Sequence, residues 1–206
     1  MLCASHPRTR TPCSVLHLLA AVLLAPAGCS KPDSDAVADE ESARLAYLGL
    51  DRAIDRAIDL GFAGFNAANS ANIPEQVDDG ELSGRMVVNG QVDQGNSDNK
   101  GMRLQVTLDM DYADVVLEGE RDVIYNGGPA TLDMSFKNLP KADLTGTLLG
   151  TFTMDHDLLG AVTLDLSFTG TTDEGADGSI VRVPGTIKVT GTAMSDYGIY
   201  NIDVSL

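Results

Sequence analysis

No tryptophan occurs in the 206 residues, aromatic side chains make up only 5%, and there are just three cysteines. A chain so poor in cysteine has no disulfide framework to replace a hydrophobic core. Positive charge is scarce too. Fourteen Lys+Arg stand against 30 Asp+Glu, for a formal net charge of -16. That balance opposes a polyanionic partner and sets nucleic acid aside. What is abundant is glycine, 21 residues, and a hydrophobic fraction of 43%. This is too apolar for a disordered tail, and the length suits a single domain.

The leader comes first. Arg8 and Arg10 precede an apolar run from Val15 to Leu24, and the small residues Ala25, Ala27 and Gly28 follow, in the order of a secretory signal. The run is too short to span a bilayer. It ends in Leu24-Ala25-Pro26-Ala27-Gly28-Cys29-Ser30, which resembles the lipobox of bacterial lipoproteins and departs from it at Pro26, where the family has an aliphatic residue. The resemblance implies cleavage before Cys29 and acylation of Cys29. With Ser30 rather than Asp after the cysteine, it also implies an outer-membrane location in the cell envelope. It covers the leader alone and implies no activity. Several acyl chains make a lasting anchor, because each buried methylene contributes about 0.8 kcal/mol. Loss of residues 1–28 removes Cys3, Cys13, His6 and His17, so the mature chain keeps one cysteine, one histidine (His156) and a still more acidic balance.

From Cys29 to Ala38 the sequence is small and polar, as expected of a flexible tether, and a single domain is expected over 39–206. Asp39, Glu40 and Glu41 place negative charge where a helix N-terminus favours it. Leu50, Ile54, Ile58 and Phe62 then recur in i, i+4 steps, with Tyr47, Gly61 and Phe65 widening the stripe, which predicts one amphipathic helix. Gly61 and Gly64 each cost about 1 kcal/mol inside a helix. They either end it or allow a neighbouring backbone close, and an exit loop is expected over 66–74.

After Pro74 the period changes to two and stays so. Met102, Leu104, Val106, Leu108 and Met110 alternate with Arg103, Gln105, Thr107, Asp109 and Asp111, and about nine such strands follow one another. Turn signals stand at Asn126-Gly127-Gly128, Leu139-Pro140-Lys141, Asp155-His156-Asp157, Pro184-Gly185 and Asp196-Tyr197-Gly198. Read as hairpins, they make an antiparallel meander. Gly84, Gly90, Gly146, Gly150 and Gly191, with Gly119 beside them, are assigned by parity to inward positions, which marks bending of the sheet or close packing against it. The expected fold is therefore α+β, an N-terminal amphipathic helix packed on a curved, barrel-like antiparallel β-meander that either closes or stays open around the helix. The outward face is Thr, Asp, Ser and Lys rather than a lipid-facing band, which argues against a transmembrane barrel.

Chemistry-bearing residues are few. His156 sits between two aspartates at an expected turn, with no second His or Cys in the mature domain to complete a transition-metal shell. Two longer polar connections, Asp93 to Gly101 and Thr171 to Gly178, are the candidate binding loops. Asp93, Asn96, Asp98, Asp173 and Asp177 are their oxygen-bearing residues. The first loop fails the EF-hand pattern, since Lys100 stands where an oxygen ligand is required and Thr107 where Glu is needed. No phosphate-binding glycine loop and no metal-ligand spacing occur, so no cofactor is expected. The expected role is a non-catalytic, lipid-anchored envelope protein with a structural or binding function and no nucleic-acid partner. The alternative is a carrier of a lipid or other hydrophobic ligand in the sheet's concavity, which resembles the periplasmic lipoprotein-carrier class in outline. A carboxylate-dependent hydrolase is the least supported reading.

Overall fold

A computed structural model describes residues 35–94, 100–109, 113–118, 121–126 and 128–206, with the backbone alone at 94, 113–118, 121 and 122. Cys29, Asn96, Asp98 and Gly119 lie outside the described residues.

The helix, α1, spans Glu40–Ala67 without a break. Its start is fixed by a reciprocal cap. The Ser42 N–H donates to Asp39 Oδ1 at 2.7 Å, and the Asp39 N–H donates to Ser42 Oγ at 3.1 Å. A cap of this kind stabilises a helix by about 1 kcal/mol. The Ser42 N–H and hydroxyl, both donating to Asp39 Oδ1, hold the Asp39 carboxyl below the usual range. Gly61 and Gly64, two of the helical glycines, are retained because of what lies against them. A side chain at Gly61 would overlap Leu104, and one at Gly64 would meet Ile73, Gln76 and the Pro74 carbonyl. Of the two alternatives in the sequence, close approach is the one realised.

Eleven strands follow: β1 (Asn72–Asp79), β2 (Arg85–Gln94), β3 (Lys100–Leu108), β4 (Ala113–Glu118), β5 (Arg121–Asn126), β6 (Ala130–Leu139), β7 (Asp143–His156), β8 (Gly160–Glu174), β9 (Ile180–Arg182), β10 (Lys188–Ser195) and β11 (Gly198–Ser205). Every ladder between them is antiparallel, so the fold is α+β, one helix and a predominant sheet. The count exceeds nine because long strands are interrupted. β7 pairs with β6 through Asp143–Gly150 and with β5 through Thr153–His156, so β5 and β6 run in line along one neighbour. β3 and β4 lie in line opposite them, and β9 and β10 run in line along β8.

Two expected hairpin turns are thereby corrected. The Asn126-Gly127-Gly128 signal and the Pro184-Gly185 signal interrupt strands that continue in the same direction. Pro129 has no N–H to give to a ladder. Gly128, at φ 149°, brings its Cα so close to the Asp109 carbonyl that a Cβ would stand 2.5 Å from that oxygen. The turns at 139–142, 157–159 and 196–197 do reverse the chain, so the meander order holds along β1, β2, β3, β6, β7, β8, β10 and β11. Among the described residues no ladder joins β1 to β11, and the sheet is not closed into a barrel.

Strand β1 also begins earlier than expected and contains Pro74. As an edge strand it tolerates a missing N–H, and its register shifts between Ile73 and Gln76. At the other end of the helix, Ala36 and Val37 are buried although they fall in the segment read as tether.

The core is one cluster between α1 and the inward face of the sheet. Tyr47, Ile54 and Ile58 of the helix and Leu104, Tyr125, Phe136, Phe152 and Met154 of the strands are its largest fully buried members. All of the cluster lies within Val37–Val204 among the described residues, so this part carries its own core. α1 packs on β1 and β2, touches β3 and β4, and packs on β9 and β11, so it meets strands of both sheet edges. Arg56 ties it to Asp78 of β1 at 2.6 Å, and Arg182 of β9 reaches Asp51 and Asp55, each at 2.6 Å. Among the described residues no helix is long and apolar enough to cross a membrane.

Candidate functional site

The apolar stripe of α1 outruns the strands that cover it. At its last two turns Phe62 and Phe65 remain half-buried, their rings stacked with centroids 5.9 Å apart and planes 12° apart. The β6–β7 turn brings Leu139 and Pro140 to the same end, and the β8–β9 connection brings Ile180. Together they form a recess of about 320 Å³, with Lys100 and Glu174 on its rim. A second recess, of about 870 Å³, lies across Phe65 and Lys100, between residues 68–71 and the end of β2 at Gln91, Val92 and Asp93.

The first recess is within the lower part of the range usual for small-ligand sites, and its apolar floor and charged rim suit an apolar body carrying a polar group. Among the described residues neither Lys100 nor Glu174 forms an ion pair. The other cations nearby are engaged, Arg103 by Asp93 at 2.9 Å and Lys141 by Asp173 at 3.4 Å.

The two loops singled out in the sequence flank this end, and each is shorter than expected, because strand pairing extends through Asp93 and Glu174. Among the described residues their acids form no cluster of three or more. Asp93 receives both Nε and Nη2 of Arg103 at 2.9 Å. Asp173 accepts the Glu174 N–H at 2.8 Å, and Asp177 accepts the N–H and hydroxyl of Ser179 at 3.0 and 2.7 Å. Those donors hold the Asp173 and Asp177 carboxyls below the usual range. They are turn-forming bonds, and among the described residues no group of three or more His, Cys, Asp or Glu is placed to hold a metal. His156 is exposed at the β7–β8 turn with φ 79°, and its N–H donates to Asp155 Oδ1 at 2.8 Å.

A third recess, about 670 Å³, runs over the outward face of β2, β3, β6 and β7, lined by alternating polar residues such as Asn89, Gln105, Asp133 and Thr147. Its charged side chains are Arg103, paired with Asp93, and the exposed Asp133.

Sequence reasoning missed one buried polar network. The Arg182 side chain, 9% exposed, gives Nη1 and Nη2 to Asp51 at 2.8 and 2.6 Å and Nε to Asp55 at 2.6 Å. The Tyr47 hydroxyl, fully buried, donates to Asp51 Oδ1 at 2.6 Å. Burial works against the Arg182 charge, but the bonds to Asp51 and Asp55 outweigh it and its pKa rises. Burial first, then the Asp51 charge, pushes Tyr47 well above the usual tyrosine range. Partners 131 residues apart leave no local signal. The network fastens helix to sheet, and Asp55 and Arg182 line the edge of a recess of about 450 Å³.

Fold and site together define an α+β domain with a filled interior and an aromatic recess at one end. Compared with protein-family models, with curated proteins and with solved structures, the chain matches none of them.

Proposed function

We propose that this chain is a cell-envelope protein anchored through acylated Cys29, and that its domain has a structural or binding role without catalysis. The observation that carries the reading is the occupied inward face. Among the described residues, the room left by inward glycines is filled by a neighbour: Phe168 at Gly146, Ala130 at Gly150, Leu104 at Gly61 and Tyr125 at Gly49. Among the described residues every buried side-chain nitrogen or oxygen has a hydrogen-bond partner, whereas a buried site for a polar substrate commonly holds some in reserve. We also take the sheet to curve around α1 as an open barrel, with the helix in the gap. Contact of one helix with both β1 and β11 supports that shape.

A second reading, carriage of a small amphiphile, has the Phe62/Phe65 recess in its favour, placing the ligand at the end of the domain rather than in its concavity. Native mass spectrometry of residues 31–206, exported to a periplasm, separates the two. A mass equal to the denatured mass is expected. An excess that vanishes on denaturation and resolves as a lipid refutes the filled, ligand-free reading and favours the carrier. The anchor is read separately, from the intact mass of the full chain recovered from an exporting bacterium. An N-terminal acylated Cys29 is expected, and an unmodified Cys29 refutes the anchor.

A further inference from the structure

We infer that the end of the domain opposite the aromatic recess is a membrane-docking surface, built from the β7–β8 and β10–β11 turns and fitted to a lipid bilayer of low surface charge. This rests on the anchored reading above.

The described chain joins the domain between these two turns. The Leu159 N–H donates to the Asp35 carbonyl at 2.7 Å, Ala36 bridges to Leu159, and the Ser195 hydroxyl donates to the Val37 carbonyl at 2.6 Å. Asp35 is six residues beyond Cys29. Even fully extended, six residues reach about 20 Å. An acylated Cys29 therefore keeps this end of the domain within about 20 Å of the bilayer.

The surface around that junction is apolar where it faces out. Met194 and Ile199 are directly paired across β10 and β11 and point outward, since their neighbours Ala193 and Ile202 belong to the core. Ile199 is 68% exposed and Tyr197, in the connecting turn, 52%. Leu159 is exposed beside the incoming chain, one residue before β8, the strand on which Met194 pairs with Thr163. Among the described residues, four of the eight exposed large hydrophobic side chains thus gather at two turns. Clustering of this kind marks a contact surface rather than the scatter normal on a soluble domain. A tyrosine among aliphatic residues at a turn tip suits the headgroup boundary, where an apolar ring and a polar hydroxyl are both satisfied.

The charge around the patch narrows the lipid. Residues 155–160 and 194–199 contain Asp155, Asp157 and Asp196 and no Lys or Arg. An anionic leaflet repels such a rim, and a zwitterionic one does not. Apolar insertion beside a covalent anchor adds a second attachment, which fixes orientation and directs the Phe62/Phe65 recess away from the membrane.

The test couples residues 29–206 through the Cys29 thiol to a maleimide lipid in phosphatidylcholine vesicles, so it does not depend on acylation in the cell. Amide hydrogen exchange is then followed by mass spectrometry. Peptides covering 158–163 and 194–200 are expected to exchange at least fivefold more slowly on vesicles than in the uncoupled domain, with peptides covering 62–68 and 139–142 unchanged. Ile199→Glu combined with Tyr197→Ser should abolish that protection and leave Tm in solution unchanged, because both side chains are exposed. Phosphatidylglycerol vesicles should give weaker protection than phosphatidylcholine. Equal exchange on and off the vesicle, or protection that survives both substitutions, overturns the docking surface. So does protection accompanied by concentration-dependent self-association, which assigns the patch to a second copy of the chain. An unmodified Cys29 in the exported protein overturns the anchor alone.

Discussion

Replacing Gly49 by alanine isolates the packing of helix on sheet. At a solvated helical site this change stabilises by about 1 kcal/mol through propensity. Here the new methyl would fall within the Tyr125 ring. The ring has little freedom to retreat. Its hydroxyl donates to the Ala46 carbonyl at 3.0 Å, and Phe152 packs against it edge-on with centroids 6.5 Å apart. Overpacking costs about 1–3 kcal/mol, and a strained or broken Tyr125 hydrogen bond about 1 kcal/mol more. Net of the propensity gain, Gly49→Ala should destabilise by about 1–3 kcal/mol. For a domain of this size that lowers Tm by roughly 3–9 °C. Thermal and urea unfolding of residues 32–206, followed by circular dichroism, read it directly. Tyr125→Leu supplies the control. It costs stability itself, but with the ring gone Gly49→Ala should become neutral or stabilising, a coupling of about 2 kcal/mol. A Gly49→Ala protein as stable as the parent, or the same loss in both backgrounds, would refute the placement of α1 against β5.

The buried network has a pH signature. Unfolded tyrosine releases its proton near pH 10, while Tyr47 in the fold retains it, so above about pH 10 the native state binds the extra proton and stability falls by about 1.4 kcal/mol per pH unit. Urea titrations at pH 8–11 should show that slope, and Tyr47→Phe should flatten it; identical slopes contradict the burial. Arg182→Ala, which strips Asp51 of its cation in a mostly buried setting, should cost about 2–4 kcal/mol, whereas Arg103→Ala, on the exposed surface, should leave Tm within error. Equal effects of the two would remove the network's structural role. Ile54→Asp should unfold the domain, since an unpaired charge enters the core, and a native-like spectrum would count against that core.

What the sequence determined by itself is what a few neighbouring residues encode. The i, i+4 stripe from Leu50 to Phe62, the acidic start at Asp39, Glu40 and Glu41 and the period-two alternation from Met102 to Leu206 give the helix, the strands and the α+β class, because side-chain periodicity is set within each element. The tertiary structure decided which strand lies beside which. Gly128-Pro129 and Pro184-Gly185 carry the same local chemistry as Leu139-Pro140, yet two interrupt a strand and one reverses it, according to whether the next segment continues along the same neighbour. Gly61 and Gly64 read equally as helix ends until Leu104 and Ile73 are placed against them. The aromatic recess joins α1, the start of β3, the end of β6 and the β8–β9 connection, and Arg182 meets Asp51 across 131 residues. Such meetings depend on long-range closure of the chain, which leaves no mark in any short stretch of sequence.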